Sequence, residues 1–416
     1  MSMVCPLESF ELYCLKSTYL PPPSLRPHPM NSTRMLLVAA ALLLISNSGS
    51  PQIFAQENAT QAAAAADPAA NEESPAAKSP TTDPQNDDEA AEETTPTEVG
   101  PAEVGPAVAS PYGPSYSLMG EFAGEIQTDG EEAEQIGLQI RPMGENGFEA
   151  IQYTGGLPGQ PAQKGNPVQL VGRRSDGFVT LSGGPFVIIV EEDGCILLDR
   201  KGTQIGNLAR VNRQSPTLGA KPPKDAIVIF DGTSTDQFSG ANMTKDGLLM
   251  QGATLKPMLQ DFDLHLEFRL PYMPEQDGQS RSNSGIYVQS RYECQILDSF
   301  ATPAVFNGLG AIYRFRKPDV NMCLPPLVWQ TYDIRFTAPR WEADGSKRRN
   351  AHITSWVNGV KVQDNIEVPQ QTGHGKEETP SLLPIVLQDH GNDVRFRNIW
   401  AIDRGIASEP FPAEGL

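Results

Sequence analysis

The sequence predicts an all-β protein, a jelly-roll sandwich preceded by a small β domain and by a disordered N-terminal tether. Short segments of alternating apolar and polar residues follow one another from Tyr112 onward, with Gly, Asn and Asp between them. Helical periodicity is nearly absent from the same region. Residues 57–107 have no aromatic residue and carry 12 Asp and Glu against one Lys. These three observations separate the tether from the folded chain.

The tether supplies most of the negative charge. The 416 residues have a net charge of −19, of which −11 lies in residues 57–107. A chain of Ala, Pro, Thr and acidic residues cannot bury enough apolar area to offset its ordering entropy. We therefore predict a disordered acidic linker over residues 56–110. The remaining sequence has no basic face, which argues against a nucleic-acid partner.

An export signal is predicted before the tether. Arg34 precedes an 11-residue apolar run at 35–45, and small and polar residues follow as far as Ala55. The run is too short to span a bilayer and is typical of a secretory signal peptide. We place this signal at 30–55 and expect a periplasmic or extracellular protein with no membrane contact after cleavage. Met1 and Met30 are alternative starts; in the second case residues 1–29 are an over-long start.

The folded region divides at a Pro-rich segment. Residues 111–218 contain short strand signals at close spacing and predict a small β domain. Within it, GGLPG (155–159) indicates a structural turn rather than a binding loop. SPTLGAKPP (215–223) marks the boundary, and we place the linker at 219–224, the sandwich domain at 225–404 and a tail at 405–416. Asn358-Gly359 in WVNGVKV predicts a tight hairpin in the sandwich.

Three sandwich strands carry a polar face. In FDLHLEFRL, YECQIL and PIVLQDH, apolar residues alternate with acids, amides and imidazoles. The polar positions are His265, Glu267, Arg269, Glu293, Gln295, Gln388 and His390. One interpretation is a groove for an extended polar ligand such as a sugar, since hydroxyl groups need paired donors and acceptors. The other is an ordinary solvated sheet face.

No metal or cofactor signature is present. Beyond the signal, the chain has only Cys195, Cys294 and Cys323, which do not make a disulfide framework. Cys294 lies on the apolar side of its strand and is expected in the core. CxxC and HExxH spacings are absent, so we expect no transition metal and no cofactor. A structural Ca²⁺ and the oligomeric state stay open.

A family resemblance extends over residues 225–404. It rests on VIFDGTSTDQF, QDFDLHLEFR, SNSGIYVQSRYECQILDSF, WQTYDIRF and LQDHGNDVRFRNIW, which occur in this order. This series resembles the 3-keto-disaccharide hydrolase domain family, and the arrangement of signal, tether and N-terminal β module is similar to planctomycete members. The resemblance implies a concanavalin A-like sandwich and a hydrolase acting on carbohydrate substrates oxidised at C3.

The same resemblance implies the site residues. Glu293 is the first choice for a catalytic carboxylate, and His390 can act as acid or base near neutral pH. Asp298 shares the parity of Ile296 and reaches a groove only if the strand bulges or ends there. The residues expected to bind substrate are Glu267, Arg269, Asn283, Tyr287, Gln295, Asp298, Tyr313 and Gln388.

The sequence is compatible with two cleavage mechanisms and with a non-catalytic function. A C3 ketone acidifies the C2 proton, so elimination of the C1 substituent followed by addition of water is one route, and displacement with paired carboxylates is the other. The ExDxxE signature of laminarinase-type glucanases is absent from the sequence. A non-catalytic, lectin-like carbohydrate-binding protein is the alternative function, because the fold supports it equally well.

Overall fold

The computed structural model describes residues 111–405 except 129 and 131. The predictions for 1–29, 30–55 and 56–110, and all of the tail after Gly405, lie outside the described residues. In the described part, helix is limited to α1 (Pro114–Leu118) and a 3-10 turn at Gly278–Ser280. The all-β prediction is therefore confirmed. None of the described helices is long and apolar enough to cross a membrane.

The first folded part is a closed eight-stranded barrel in which each strand pairs with its neighbours along the chain. β1 pairs with both β2 and β8 in antiparallel register, and this pairing closes the barrel. Its interior is filled by apolar side chains, among them Phe122, Leu138, Ile188 and Cys195. The strands are β1 (Gly120–Ile126), β2 (Glu134–Met143), β3 (Gly147–Thr154), β4 (Lys164–Ser175), β5 (Phe178–Ser182), β6 (Val187–Val190), β7 (Gly194–Leu198) and β8 (Gln204–Val211).

The second folded part is a sandwich of two antiparallel sheets. A five-stranded sheet has the order β10 (Phe238–Ser239), β12 (Ala253–Leu255), β21 (Val386–Leu387), β14 (Ser284–Val288) and β15 (Tyr292–Ile296). A seven-stranded sheet has the order β11 (Leu249–Met250), β22 (Arg395–Asp403), β13 (Phe262–Arg269), β16 (Trp329–Thr337), β19 (Ala351–Val357) and β20 (Val360–Val368), with β9 (Ile227–Phe230) paired to β22. A separate hairpin joins β17 (Arg340–Trp341) to β18 (Lys347–Arg349).

The sandwich core lies between the two sheets. The apolar positions of β13 and β15 are buried there, including Leu266, Phe268, Tyr292 and Ile296, and Cys294 lies among them as a free thiol. Burial of each large apolar side chain contributes about 1.5–3 kcal/mol. The alternation therefore predicted correctly which side of each strand faces the core.

The Asn358-Gly359 hairpin is also confirmed. Both turn residues have positive φ, 51° and 77°, and they connect β19 to β20. Asn358 is one of the few residue types that adopt this backbone at low cost, and its side chain additionally donates to Met322 O at 2.8 Å. The turn thus sets the register of the two strands and ties them to a neighbouring loop.

The chain between barrel and sandwich is bound to the outer face of the seven-stranded sheet. Thr217 Oγ1 donates to Asp333 Oδ2 at 3.0 Å, and Gly219 N–H donates to Glu267 Oε1 at 2.6 Å. Ala220 O accepts from Asn398 Nδ2 at 3.0 Å. Segment 215–220 is therefore a docked strap, which covers polar side chains that would otherwise face solvent.

Candidate active site

Two cross-strand rows form the candidate site on the outer face of the five-stranded sheet. In the first row, Tyr287 stands opposite Glu293 on one side and Val386 on the other. Tyr313 N–H donates to Glu293 O at 2.9 Å, which places Tyr313 beside Glu293 at the sheet edge. The fixed register of antiparallel strands thus sets Glu293 between two tyrosines.

The second row lies two residues along the same strands. Gly285 stands opposite Gln295, and Gln388 N–H donates to Gly285 O at 2.8 Å. Side chains two residues apart on a strand share a face. The amides of Gln295 and Gln388 therefore belong to the same surface as Glu293, as the sequence predicted.

Glu293 is a buried carboxyl with few partners. It is only 2 % exposed, its Oε2 accepts from the Tyr287 hydroxyl at 2.7 Å, and its backbone N–H donates to Thr372 Oγ1 at 2.8 Å. Burial raises the pKa of Glu293 and the Tyr287 hydrogen bond lowers it, with a net pKa of about 7. A group with this pKa is populated in both protonation states near neutrality, which suits acid–base catalysis.

The Gln295 amide connects Glu293 to a polar network. One end of this amide lies 3.1 Å from Glu293 Oε1, and the other lies 3.1 Å from Asn283 Oδ1. Asn283 in turn donates to Gln279 O at 2.9 Å. Because an amide has one donor end and one acceptor end, Gln295 can match the ionised or the protonated form of Glu293 by rotating. Gln295 and Asn283 hold the carboxyl in place.

A loop covers this face, so the expectation of an open groove is wrong around Glu293. Thr372 N–H donates to Arg291 O, and Lys376 N–H donates to Ser290 O at 2.9 Å, which fastens segment 372–376 to the sheet. At Gly373, where φ is +60°, a Cβ would lie 2.0 Å from Glu293 Oε2. Glu293 therefore lies directly beneath an exposed glycine.

Segment 372–376 contributes residues that the sequence interpretation missed. His374 N–H donates to the Tyr287 hydroxyl at 3.3 Å, and its side chain is exposed. The signal available in the sequence was TGHG, a histidine flanked by two glycines. Nothing in its spacing connects it to β15, because the contact is made by a loop some 80 residues further along the chain.

His390 has a different position from the one expected of a catalytic partner. It is exposed on the loop that follows β21. Among the described residues no hydrogen bond joins His390 to Glu293; the same loop contacts the site through Asn392 Oδ1, which accepts from Asn283 N–H at 2.7 Å. Tyr313 is partly exposed and, like Tyr287, has a raised pKa, first through burial and then through the nearby Glu293 carboxylate.

Glu267 and Arg269 do not belong to this site, which corrects the sequence prediction. Both lie on β13, in the seven-stranded sheet, whereas Glu293 lies in the five-stranded sheet. Alternation predicts the face of a strand but not the sheet to which the strand belongs. Glu267 accepts from Arg397 Nε at 2.6 Å, and the Arg269 guanidinium lies over the Trp329 ring at 5.1 Å.

Glu267 belongs instead to a buried charged cluster under the strap. His265 Nδ1 lies 2.6 Å from Asp333 Oδ1, and its ring stacks on Trp400 at 4.9 Å. Burial lowers the pKa of His265, but hydrogen bonds to Asp333 and Glu267 outweigh it and raise the pKa to about 9. Burial raises the pKa of Glu267, but four hydrogen bonds reduce it to about 2. Ionised Glu267 therefore holds the strap through Gly219 N–H, and protonated His265 lies beside this carboxylate.

Asp298 is also removed from the predicted substrate set. Its Oδ2 accepts from Arg281 Nε at 2.7 Å, and both side chains are fully buried. Arg281 Nη1 additionally donates to Pro142 O of the barrel at 3.1 Å. Asp298 follows the end of β15 and points to the same side as the core residue Ile296. There it neutralises the buried Arg281 guanidinium, which connects the two folded parts.

The described residues contain no group of three or more His, Cys, Asp and Glu side chains arranged to hold a metal ion. The chemistry available around Glu293 is that of a carboxyl, two phenols and two amides. Such a set can transfer protons and bind hydroxyl groups.

Residues 225–402 match the family model of the 3-keto-alpha-glucoside-1,2-lyase-like domain. This part of the chain belongs to that family. The family domain contains every residue of the two rows. The comparison with curated proteins gives no match.

Solved structures similar to the chain include three proposed glycosyl hydrolases of Parabacteroides distasonis. One is 32 % identical, with a TM-score of 0.40, and the match covers 44 % of this chain and 84 % of the other. A second is 17 % identical, with a TM-score of 0.32, and the match covers 43 % of this chain and 94 % of the other.

Proposed function

We propose that the family domain cleaves the glycosidic bond of sugars that carry a ketone at C3. The description of the family names 3-keto-alpha-glucosides and a 1,2-lyase reaction, and this supports a carbohydrate substrate of that type. The observation that carries the proposal is the Glu293 carboxyl, buried beside Tyr287 and Gln295 with a pKa of about 7.

Elimination is the route that we propose for the bond cleavage. A base removes the proton at C2, which the C3 ketone acidifies, and the C1–O bond breaks as a C1=C2 double bond forms. The departing oxygen keeps the electron pair of that bond and takes up a proton. The family's 1,2-lyase description favours this route over displacement with paired carboxylates.

Glu293 is assigned the proton transfers. In its ionised form it accepts the C2 proton, and in its protonated form it donates to the leaving oxygen. Tyr287 orients it, and the partly exposed Tyr313 and Gln388 offer hydrogen bonds to the sugar. His390 is proposed as a second acid–base group that approaches from its exposed loop when substrate is bound.

The alternative is a lectin-like protein that binds carbohydrate without cleaving it. Such a site commonly stacks sugars on tryptophan rings. None of the four tryptophans of this chain lies in the five-stranded sheet that carries Glu293. They are Trp329, Trp356 and Trp400 on the seven-stranded sheet and Trp341 on the β17–β18 hairpin. Their placement favours the enzyme.

A comparison of oxidised and ordinary disaccharides tests the proposal. The purified full chain is incubated with a 3-keto disaccharide and with its unoxidised parent, and release of reducing sugar is followed. Glu293→Gln is expected to lower turnover by roughly 10²-fold or more without lowering the melting temperature. Glu342→Gln, on the exposed β17–β18 hairpin, is the matched control and should retain full activity.

Two results would contradict the assignment. Full activity of Glu293→Gln would remove the carboxyl from the mechanism. Binding of the 3-keto disaccharide by the unmodified protein, with no release of sugar under any condition, would instead support the lectin-like alternative.

Export is proposed alongside this activity. The charged and apolar pattern of residues 30–55 supports a signal peptide, and the acidic composition of 56–110 supports a tether that holds the folded parts away from a surface. We also propose a planctomycete-type member of the family, supported by the order of signal, tether and N-terminal β module.

A further inference from the structure

Three exposed apolar side chains lie in one loop beside the strand of Glu293. Val305, Phe306 and Phe315 are 39 %, 51 % and 42 % exposed. A single exposed apolar side chain is ordinary on a protein surface, whereas several close together are typical of a surface that contacts a ligand or partner. We call these three side chains the apolar corner.

The loop that carries the apolar corner is fixed to β15. Tyr313 N–H donates to Glu293 O at 2.9 Å, and Gln295 N–H donates to Ala311 O at the same distance. β15 is the last strand of the five-stranded sheet, so the loop continues the sheet beyond its edge. Backbone hydrogen bonds of this kind hold neighbouring chains about 5 Å apart. The loop therefore lies next to the strand that carries the catalytic carboxyl.

Two further backbone hydrogen bonds bring the phenylalanines together. Phe315 N–H donates to Ile312 O at 2.9 Å, which turns the chain back directly after Tyr313. Arg314 N–H donates to Phe306 O at 2.7 Å, which places Phe306 against the same turn. Both phenylalanines thus belong to the turn that begins at Tyr313, at the edge of the sheet.

Solvent reaches the surroundings of Glu293 on this side. Tyr287 is 7 % exposed and bonded to segment 372–376, whereas Tyr313 is partly exposed. The Tyr313 phenol is close enough to the Glu293 carboxylate for that charge to raise its pKa, after the larger effect of burial. A substrate that contacts Glu293 past Tyr313 therefore extends over the apolar corner.

The two ends of this surface differ in polarity. Gln388 follows β21 in the middle of the sheet, and its amide can bond to sugar hydroxyl groups. Valine and phenylalanine side chains at the edge have no hydrogen-bonding group, so a second sugar ring would leave its hydroxyl groups without partners there. An apolar ring or chain would lose only its contact with water, which is favourable. The arrangement matches a glycoside with a polar sugar at one end and an apolar group at the other.

We propose that the apolar corner binds the leaving group of the substrate, and that the preferred leaving group is an apolar alcohol, alkyl or aryl. The inference rests on the proposed function, in which the C1–O bond breaks beside Glu293. It names the substrate class of that site as 3-keto glucosides of apolar alcohols.

Two 3-keto α-glucosides with matched leaving groups test the proposal. Methanol and cyclohexylmethanol are alcohols of similar acidity, so a difference in kcat/KM between their glucosides reports binding of the cyclohexyl ring. Burial of about 60 Å² of apolar area corresponds to a preference of roughly tenfold. The full chain should therefore cleave the cyclohexylmethyl compound with a kcat/KM about tenfold higher than the methyl compound.

A double variant removes the apolar corner without disturbing the core. Phe306→Ser combined with Phe315→Ser should reduce the preference to less than about twofold, and the melting temperature should be retained because both side chains are exposed. Val171→Ser is the matched control. Val171 is 61 % exposed on β4 of the barrel, so its replacement should leave the preference unchanged.

Binding of the unoxidised glucosides separates this inference from the proposed function. Methyl and cyclohexylmethyl α-glucoside lack the ketone that acidifies C2, so they are not cleaved by elimination. In isothermal titration calorimetry the full chain should bind the cyclohexylmethyl compound about tenfold more tightly, and the double variant should lose this difference.

Equal kcat/KM values for the two 3-keto glucosides, or a preference that survives in the double variant, would overturn the inference and leave the cleavage reaction intact. Failure to cleave either 3-keto glucoside would count against the proposed function, and calorimetry would then decide alone. Tighter binding of the cyclohexylmethyl compound that depends on the two phenylalanines would support the apolar corner, and equal or undetectable binding of both compounds would overturn it.

Discussion

The His265 cluster under the strap makes stability depend on pH in a calculable way. The pKa of His265 is about 9, against its ordinary 6.5. A raised pKa means that protonated His265 stabilises the folded state. This contribution is fully present below pH 6.5 and is lost as pH rises through 9. At 1.36 kcal/mol per pKa unit, the loss is about 3 kcal/mol.

The assay compares two proteins so that other titrating groups cancel. The free energy of unfolding of the full chain is measured in urea between pH 6 and 10, for the unmodified protein and for His265→Gln. The difference between them should shrink by about 3 kcal/mol over this interval. In Asp333→Asn, which removes the carboxylate 2.6 Å from His265, the loss should occur at lower pH. A difference that stays constant from pH 6 to 10 would refute the role given to the charged imidazole.

Two further predictions concern buried charge. Asp298→Asn removes one partner of a fully buried ion pair and should lower the free energy of unfolding by about 3–5 kcal/mol. Asp319→Asn, in an exposed pair with Arg316, should change the free energy of unfolding by less than about 1 kcal/mol. Equal effects of the two substitutions in urea denaturation would contradict this distinction. Gly373→Ala places a Cβ 2.0 Å from Glu293 Oε2 and should displace segment 372–376. Because burial raises the pKa of Glu293, exposure should lower it, and the pH–rate profile should shift toward acid. An unshifted profile in a folded variant would argue that the segment does not control this pKa.

The polar pattern predicted correctly which side of each strand faces away from the core. It did not predict which strands belong to the same sheet. Glu293 and Gln295 do face away from the core, opposite Tyr292 and Cys294, as period-two alternation requires. The same pattern in β13 was assigned to the same surface. That step needed the strand order, and strand order depends on long-range pairing that a local pattern does not contain.

Glu267 illustrates the difference. Its polar environment was apparent from FDLHLEFRL, but its partners are Gly219, Arg397 and Asn398 from distant parts of the chain. A polar side chain between apolar neighbours looks the same in sequence whether it contacts substrate, solvent or a docked strap. Only the strap's position showed that this one stabilises the junction between barrel and sandwich.

The sequence by itself determined the strands, their core-facing sides, the 358–359 hairpin and the family of residues 225–402, because alternation, turn chemistry and motif order are local properties of the chain. The tertiary structure alone decided that β21 is a neighbour of β14, that segment 372–376 closes over Glu293, and that the Glu293 and Gln388 side chains pack against Gly285. These features arise where segments about 80 to 100 residues apart meet, and the burial that raises the pKa of Glu293 to about 7 is a product of that meeting.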